Sequence, residues 1–123
     1  MEEQAELNIG LGTHEPERVS LKPAKVNIVS VSVQPTSKAK KVVFEVKHPD
    51  KEETIKLSSV AFLDGREIKI VGTWLNLDKE GLIQKGSGLH TLLTKLNATN
   101  IQDAVGKECD TELEDKYLCF KAY

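Results

Sequence analysis

The stretch VNIVSVSV at positions 26–33 decides the fold of this chain, because its apolar residues change sides within one run. Val26 and Ile28 share one parity, and the valines at 29, 31 and 33 share the other. Side chains alternate between the two faces along a β-strand. The switch therefore predicts a long first strand that has a bulge or kink near Ile28 and Val29, or that is buried on both faces.

Three further strands are predicted at 41–48, 54–63 and 67 to about 77. In the first of them, Val42, Phe44 and Val46 share one parity, which is typical of a half-buried strand. The dipeptide Asp64-Gly65 is a strong signal for a hairpin between the next two. Gly72 interrupts the last one, and a glycine inside a strand favours a bulge or a sharp bend. These strands together predict a strongly bent sheet.

The apolar period then changes to that of a helix. Leu89, Leu92, Leu93 and Leu96 recur at i, i+3, i+4 and i+7, which forms one apolar stripe. Ser87 is a suitable N-cap for this helix. A stop near residue 97, a helical turn over 100–106 and two strands at 108–113 and 117–123 complete the chain. The predicted order is three or four strands, one amphipathic helix and two strands.

Composition predicts one globular domain that is preceded by a tail. The 123 residues are 39% hydrophobic and 29% charged, with a net charge of −2. Five glutamates and one arginine lie in residues 1–20, which we expect to form a flexible acidic tail before a single domain at 21–123. The acidic opening does not resemble a secretory signal, so we expect a cytoplasmic protein. Its two cysteines are then expected to be reduced.

The order of elements resembles the OB fold, a five-stranded Greek-key β-barrel with a helix between strands three and four. The parity switch in the first strand, the amphipathic helix and the Gly106-Lys107 step before the final hairpin carry this resemblance over residues 21–123. Within that fold, the chain looks most like the single OB modules of archaeal replication protein A and similar single-stranded DNA-binding proteins. The resemblance implies a module that coats or tethers single strands of nucleic acid.

A binder of single strands combines a basic groove with aromatic rings on which bases stack. In OB folds this surface is the outer face of strands two and three. There Lys41 and Lys47 lie opposite Phe44 in parity, and Lys56 and Phe62 lie opposite Leu57. Phe62 is the predicted stacking ring. The complete predicted set consists of cations and aromatic residues on strands and turns: Lys38, Lys40, Lys41, Lys47, Lys56, Phe62, Arg66, Lys69, Trp74, Tyr117, Lys121 and Tyr123.

Each of these residues also has a structural interpretation that stays open at this point. Phe62 is also typical of a buried core, Trp74 of a barrel wall near a glycine bend, and the lysines at 38–41 of a solvated turn. Only 5% of the residues are aromatic, which favours an alternative function as a protein-interaction or scaffolding subunit of a larger complex. A further hypothesis is that the acidic tail competes with nucleic acid for the basic face.

The sequence gives no reason to expect an enzyme. It has no nucleophile elbow, no phosphate-binding glycine loop and no cysteine–histidine spacing typical of zinc. The segment Lys85-Gly86-Ser87-Gly88 precedes a helix but lacks the spacing and the Lys-Ser/Thr pair of a phosphate loop. We therefore expect no catalytic residues, no metal and no cofactor. The expected partner is single-stranded DNA or RNA, with little sequence specificity.

Overall fold

Eight β-strands and one α-helix form the regular structure in a computed structural model that describes residues 21–115 and 117–123. The predicted tail at 1–20 lies outside the described residues. The strands and helices, in chain order, are β1 (Val26–Pro35), β2 (Lys40–Lys47), β3 (Ile55–Leu57), β4 (Ser59–Asp64), β5 (Glu67–Gly72), α1 (Gly88–Lys95), a 3-10 helix (Gln102–Ala104), β6 (Glu108–Cys109), β7 (Thr111–Glu114) and β8 (Tyr117–Lys121).

The strands form two four-stranded sheets. The first has the order β3-β2-β1-β6, and the second has the order β5-β4-β8-β7. Every pair is antiparallel except β4 and β8, which are parallel. The prediction of a mainly β fold with one helix is confirmed. The count differs, because eight strands replace the predicted five and α1 follows the fifth strand instead of the third.

The parity switch in β1 is a β-bulge, which is one of the two alternatives that the sequence leaves open. Ile28 pairs with Val46, and Ser30 pairs with Glu45, so one extra residue lies between two consecutive pairs. That residue is Val29, and its side chain is 48% exposed. The inserted residue reverses the alternation of side chains at Val29. Val26 and Ile28 therefore face the core before the bulge, although the valines that follow it have the other parity.

A second break, for which the sequence has no signal, separates β3 from β4 at Ser58. Leu57 is buried, and the next large side chains of the core cluster between the sheets are Val60 and Phe62. Two residues lie between Leu57 and Val60 where a regular strand has one, so the inward parity shifts. Leu63, which regular alternation would place on the buried face with Leu57, is instead 53% exposed.

The helix and its flanking turns follow the predicted signals. The Ser87 hydroxyl accepts a hydrogen bond from the His90 backbone N–H at 3.2 Å, which caps α1. Asn97 adopts a positive φ of 56° just after the helix, which is a left-handed stop. The four predicted leucines are buried against the sheets. Each such burial stabilises the fold by roughly 1.5–3 kcal/mol.

The core lies between the two sheets and is closed by α1. Phe44 of β2 and Phe120 of β8 meet edge to face, with ring centroids 5.1 Å apart and an interplanar angle of 82°. Both rings are fully buried. Offset and edge-to-face pairs add about 0.5–1.5 kcal/mol beyond the area that they bury. This contact therefore joins the two sheets at the centre of the molecule.

Candidate nucleic-acid interface

The outer face of β2 carries two predicted cations with a carboxylate between them. Lys41 and Lys47 point outward, as predicted, but Glu45 shares their face. Its carboxylate accepts hydrogen bonds from the hydroxyls of Thr54 at 2.8 Å and Ser30 at 2.9 Å. Both bonds lower the pKa of Glu45, and the bond from Thr54 has the larger effect. The carboxylate is therefore charged at neutral pH, and this face is not a continuous cationic track.

Lys47 and Lys56 lie away from the other predicted cations. The Lys47 ammonium donates hydrogen bonds to the carbonyl oxygens of His48, at 2.8 Å, and of Lys51. Lys56 is exposed on β3, directly opposite Glu45 in the register. The Lys47 ammonium thus contacts carbonyl oxygens, and Lys56 lies beside a carboxylate. Neither lysine forms a cationic group with Lys41.

The predicted position of Phe62 on the outer wall is wrong. Its side chain is only 9% exposed and belongs to the core between the sheets. The physical reason is the break at Ser58, which turns Phe62 inward together with Val60. Phe62 therefore does not present its ring on the outer face, where regular alternation of side chains along the strand would place it.

Phe62 nevertheless lies at the wall of a cleft that contains two other predicted residues. The cleft has a volume of about 380 Å³, and Phe62, Lys69 and Trp74 all line it. Residues 86–88, at the N-terminus of α1, form its opposite side. We call this space the Trp74 cleft. It contains three of the predicted site residues, whereas a second cleft contains two, Lys56 and Tyr117.

A glycine and a lysine position the Trp74 indole. A β-carbon built on Gly72 would lie 2.7 Å from Trp74 Nε1, so only glycine leaves room for the ring. Lys41 and Trp74 pair in an isolated antiparallel β-bridge. The Lys41 ammonium lies 5.1 Å from the centroid of the indole ring. This is the geometry of a cation–π contact. The sequence signalled Gly72, Trp74 and Lys41 separately, but it did not reveal that they meet.

The backbone fixes this arrangement. The N–H of Val42 donates to the Thr73 carbonyl, and the N–H of Leu75 donates to the Lys40 carbonyl, each at 2.9 Å. The Thr73 hydroxyl is buried and donates to the Val42 carbonyl at 2.6 Å. The segment after β5 is thus bound to β2 on both sides of Trp74, and the indole is partly exposed at the surface.

The remaining predicted cations of this half of the chain are exposed at the start of β2 and in the β4–β5 hairpin. Lys69 pairs with Asp64 at 2.5 Å, and both groups line the cleft. Lys40 begins β2, and Lys38 and Arg66 are exposed on the two turns that lead into β2 and β5. Exposed ion pairs contribute only about 0–1 kcal/mol, so Lys69 can exchange its partner for a phosphate at little cost.

The predicted residues of the last strand lie elsewhere. Tyr117 is 64% exposed and, with Lys56, lines a separate cleft of about 350 Å³. The Lys121 ammonium lies 5.0 Å from the Tyr123 ring centroid. The Tyr123 hydroxyl donates to a Glu112 carboxylate oxygen at 2.5 Å, and this bond raises the pKa of Tyr123. The twelve predicted residues therefore do not form one surface.

Neither a reactive thiol nor a metal centre was found where the structure describes the chain. Burial raises the pKa of both Cys109 and Cys119 to about 11, so these thiols stay protonated at neutral pH. Over residues 21–115 and 117–123, no group of three or more histidine, cysteine, aspartate or glutamate residues could hold a metal ion. In the same part of the chain, no helix combines the length and apolar character that crossing a membrane requires.

Comparison with known proteins gives no match to this chain, whether with protein-family models, with curated proteins or with solved structures.

Proposed function

We propose that this chain is a non-catalytic module that binds single-stranded nucleic acid, with one base held at the Trp74 cleft. The observation that carries this proposal is the partly exposed Trp74 indole, which lines a cleft together with Lys69 and has the Lys41 ammonium 5.1 Å from its ring centroid. Stacking of a base on an aromatic ring contributes roughly 1–3 kcal/mol and tolerates any base. A base in a duplex is already stacked on its neighbours, so a single strand is the expected ligand.

The phosphates of the strand would contact the cations that flank the cleft. Lys69 lines the cleft, and the Lys41 ammonium lies 5.1 Å from the centroid of the Trp74 ring. Lys38 and Lys40 are exposed just before and at the start of β2, and Arg66 is exposed in the turn between β4 and β5. Lysine ammonium groups contact phosphate as point charges without reading sequence. The proposal therefore includes little sequence preference and an affinity that falls as salt rises. It moves the interface from the β2–β3 face, where Glu45 carries a negative charge, to the segment that follows β5.

The strand pairing supports an OB-like barrel for this module. β3 and β4 are consecutive and are separated only by Ser58, and β6 and β7 are separated only by Asp110. Counting each pair as one bent strand gives five strands plus the added β5. The antiparallel pair β1–β6 and the parallel pair β4–β8 then close the barrel. In this interpretation α1 lies between the third strand with its added hairpin and the fourth, as the OB resemblance implies.

The test uses Trp74 as its own reporter, because it is the only tryptophan in the chain. Titration with a single-stranded oligonucleotide should quench its fluorescence, and the apparent affinity should fall steeply as salt rises. The variant Trp74→Ala, followed by anisotropy of a labelled oligonucleotide, should weaken binding about 5- to 150-fold, as loss of one stacked base implies. Tyr117→Ala, which removes an exposed ring outside the cleft, is the matched control and should bind normally.

Two results would contradict this proposal. One is no detectable binding at about 50 mM salt, a concentration at which phosphate contacts are strong. The other is equal loss of affinity in both aromatic variants, which would show that the cleft has no particular role.

A protein-docking subunit is the second candidate function. The observation that favours it is a pair of exposed apolar side chains on the outer face of the β4–β5 hairpin. Leu63 and Ile68 are directly opposite each other and are 53% and 51% exposed. Exposed apolar patches of this kind often mark interaction sites. Absence of oligonucleotide binding, together with association through this hairpin, would favour the second candidate.

A further inference from the structure

The β4–β5 hairpin ends in an edge strand that is suited to pair with another strand. β5 forms one end of its sheet and pairs only with β4 within the described residues. It has six residues, whereas the other edge strands, β3, β6 and β7, have three, two and four. An edge strand presents unpaired N–H and C=O groups that can bind a further strand.

The hairpin geometry determines which backbone groups face outward. Asp64 pairs with Glu67 across a two-residue turn, and Phe62 pairs with Lys69. In a two-residue hairpin the closing pair exchanges hydrogen bonds, and such pairs alternate along the ladder. Glu67 and Lys69 therefore direct their backbone groups to β4. Ile68 and Ile70 direct theirs to the open edge, where they can bond to a new strand.

We propose that β5 pairs antiparallel with β5 of a second copy of this chain, with Ile68 opposite Ile68 of that copy. In this register Glu67 lies opposite Lys69 of the second copy, and Lys69 lies opposite Glu67. The two-fold axis thus creates two opposite-charge pairs on one face of the sheet. On the other face it brings the two Ile68 side chains together beside Leu63. The result is one continuous eight-stranded sheet across the dimer.

Charge complementarity selects both the occupant and the register. Two adjacent registers retain the outward backbone groups. One pairs Ile68 with Ile70 and places Lys69 opposite Lys69 of the second copy, and the other pairs Ile68 with Arg66 and places Glu67 opposite Glu67. Like charges directly opposite each other on neighbouring strands destabilise a sheet. An unrelated strand would have no reason to present lysine and glutamate in the spacing that Glu67 and Lys69 require. A second copy of β5 meets this requirement by symmetry, and this inference does not depend on nucleic-acid binding.

The experiment measures the molar mass of the full chain by sedimentation velocity over a concentration series, without nucleic acid. The wild-type chain should change from monomer to dimer as concentration rises. Glu67→Lys and Lys69→Glu each create two like-charge pairs across the axis, and each should raise the dimer dissociation constant about 30-fold. Thr94→Ala, on the exposed side of α1, is the control that should leave the dissociation constant unchanged.

Mixing the two charge variants provides the decisive measurement. Glu67→Lys in one copy and Lys69→Glu in the other restore two opposite-charge pairs, so the mixture should form a heterodimer at concentrations where each variant alone is monomeric. This gain also shows that both variants fold. A wild-type chain that remains monomeric at its highest soluble concentration would overturn the proposal. So would dimers that are unaffected by either substitution, or a mixture that stays monomeric.

Discussion

Gly88 is the residue at which one added methyl group should do most damage to the packing of α1. A β-carbon at this position would lie 2.4 Å from Val71 Cγ2 and 2.9 Å from Val60 Cγ1. Both distances are well below van der Waals contact. Val60 is fully buried, and β-branched side chains have few alternative rotamers, so neither methyl group can turn away freely. The variant Gly88→Ala must therefore shift the start of α1 away from β4 and β5.

Two opposing effects set the magnitude of this change. Overpacking of a filled core costs about 1–3 kcal/mol. Alanine gains up to about 1 kcal/mol over glycine from helix propensity, and less at the first residue of a helix. We expect the free energy of unfolding of Gly88→Ala to fall by about 1–2 kcal/mol. Because residues 86–88 also line the Trp74 cleft, the same shift should change the fluorescence of Trp74.

The assay is urea unfolding of the full chain, followed by circular dichroism. With a slope of about 1–3 kcal/mol per molar urea, the midpoint should fall by roughly 1 M. Thr94→Ala is the matched control on the exposed side of the same helix, and its stability should change by less than about 0.5 kcal/mol. If Gly88→Ala were as stable as the wild-type chain, α1 would not pack against the two valines as closely as the structure indicates.

Two further predictions concern ionisable groups. Because the pKa of Glu45 is lower in the folded chain than its ordinary value of 4.5, the stability that it contributes is present above that pH and is lost as pH falls through the lowered pKa. Urea midpoints between pH about 6 and about 3 should therefore fall less steeply in Glu45→Gln than in the wild-type chain, and equal slopes would contradict the role of Glu45. The pKa values of Cys109 and Cys119 are about 11 because both thiols are buried. An aromatic disulfide reagent at pH about 8 should therefore label neither thiol until urea unfolds the chain. Rapid labelling of the native protein would show instead that a thiol is accessible.

The structure confirms the predictions for features that are determined by residues close together in the sequence. The leucine stripe of α1, the Ser87 cap and the Asp64-Gly65 hairpin depend on neighbours within about four residues, and the structure confirms all three. A bulge near Val29 was one of the two alternatives that the parity switch predicted, and the structure selects it. The break at Ser58 has no such signal. Alternation across residues 54–63 therefore gave the wrong face for Phe62.

The candidate site was harder to predict than the strands, because it is formed by contacts between segments that are far apart in the chain. The sequence singled out Trp74, Gly72 and Lys41, but the stacking of the lysine on the indole requires pairing between β2 and the segment after β5. Conversely, Lys47 and Lys56 matched the predicted face, yet Glu45 lies between Lys41 and Lys47 on that face and opposite Lys56. Periodicity assigns a side chain to a face, but it does not determine which charges share that face across strands.

The sequence by itself determined that the chain is mainly β, that one amphipathic helix precedes the last strands, and that the apolar parity changes within β1. These features follow from side-chain periodicity and turn chemistry, which act over a few residues. Only the tertiary structure decided that β3 and β4 belong to different sheets, that Phe62 points inward, and that Trp74 meets Lys41 above Gly72. Those outcomes depend on strand pairing between residues far apart in the chain, where packing and backbone hydrogen bonds select one register among several that the local sequence permits.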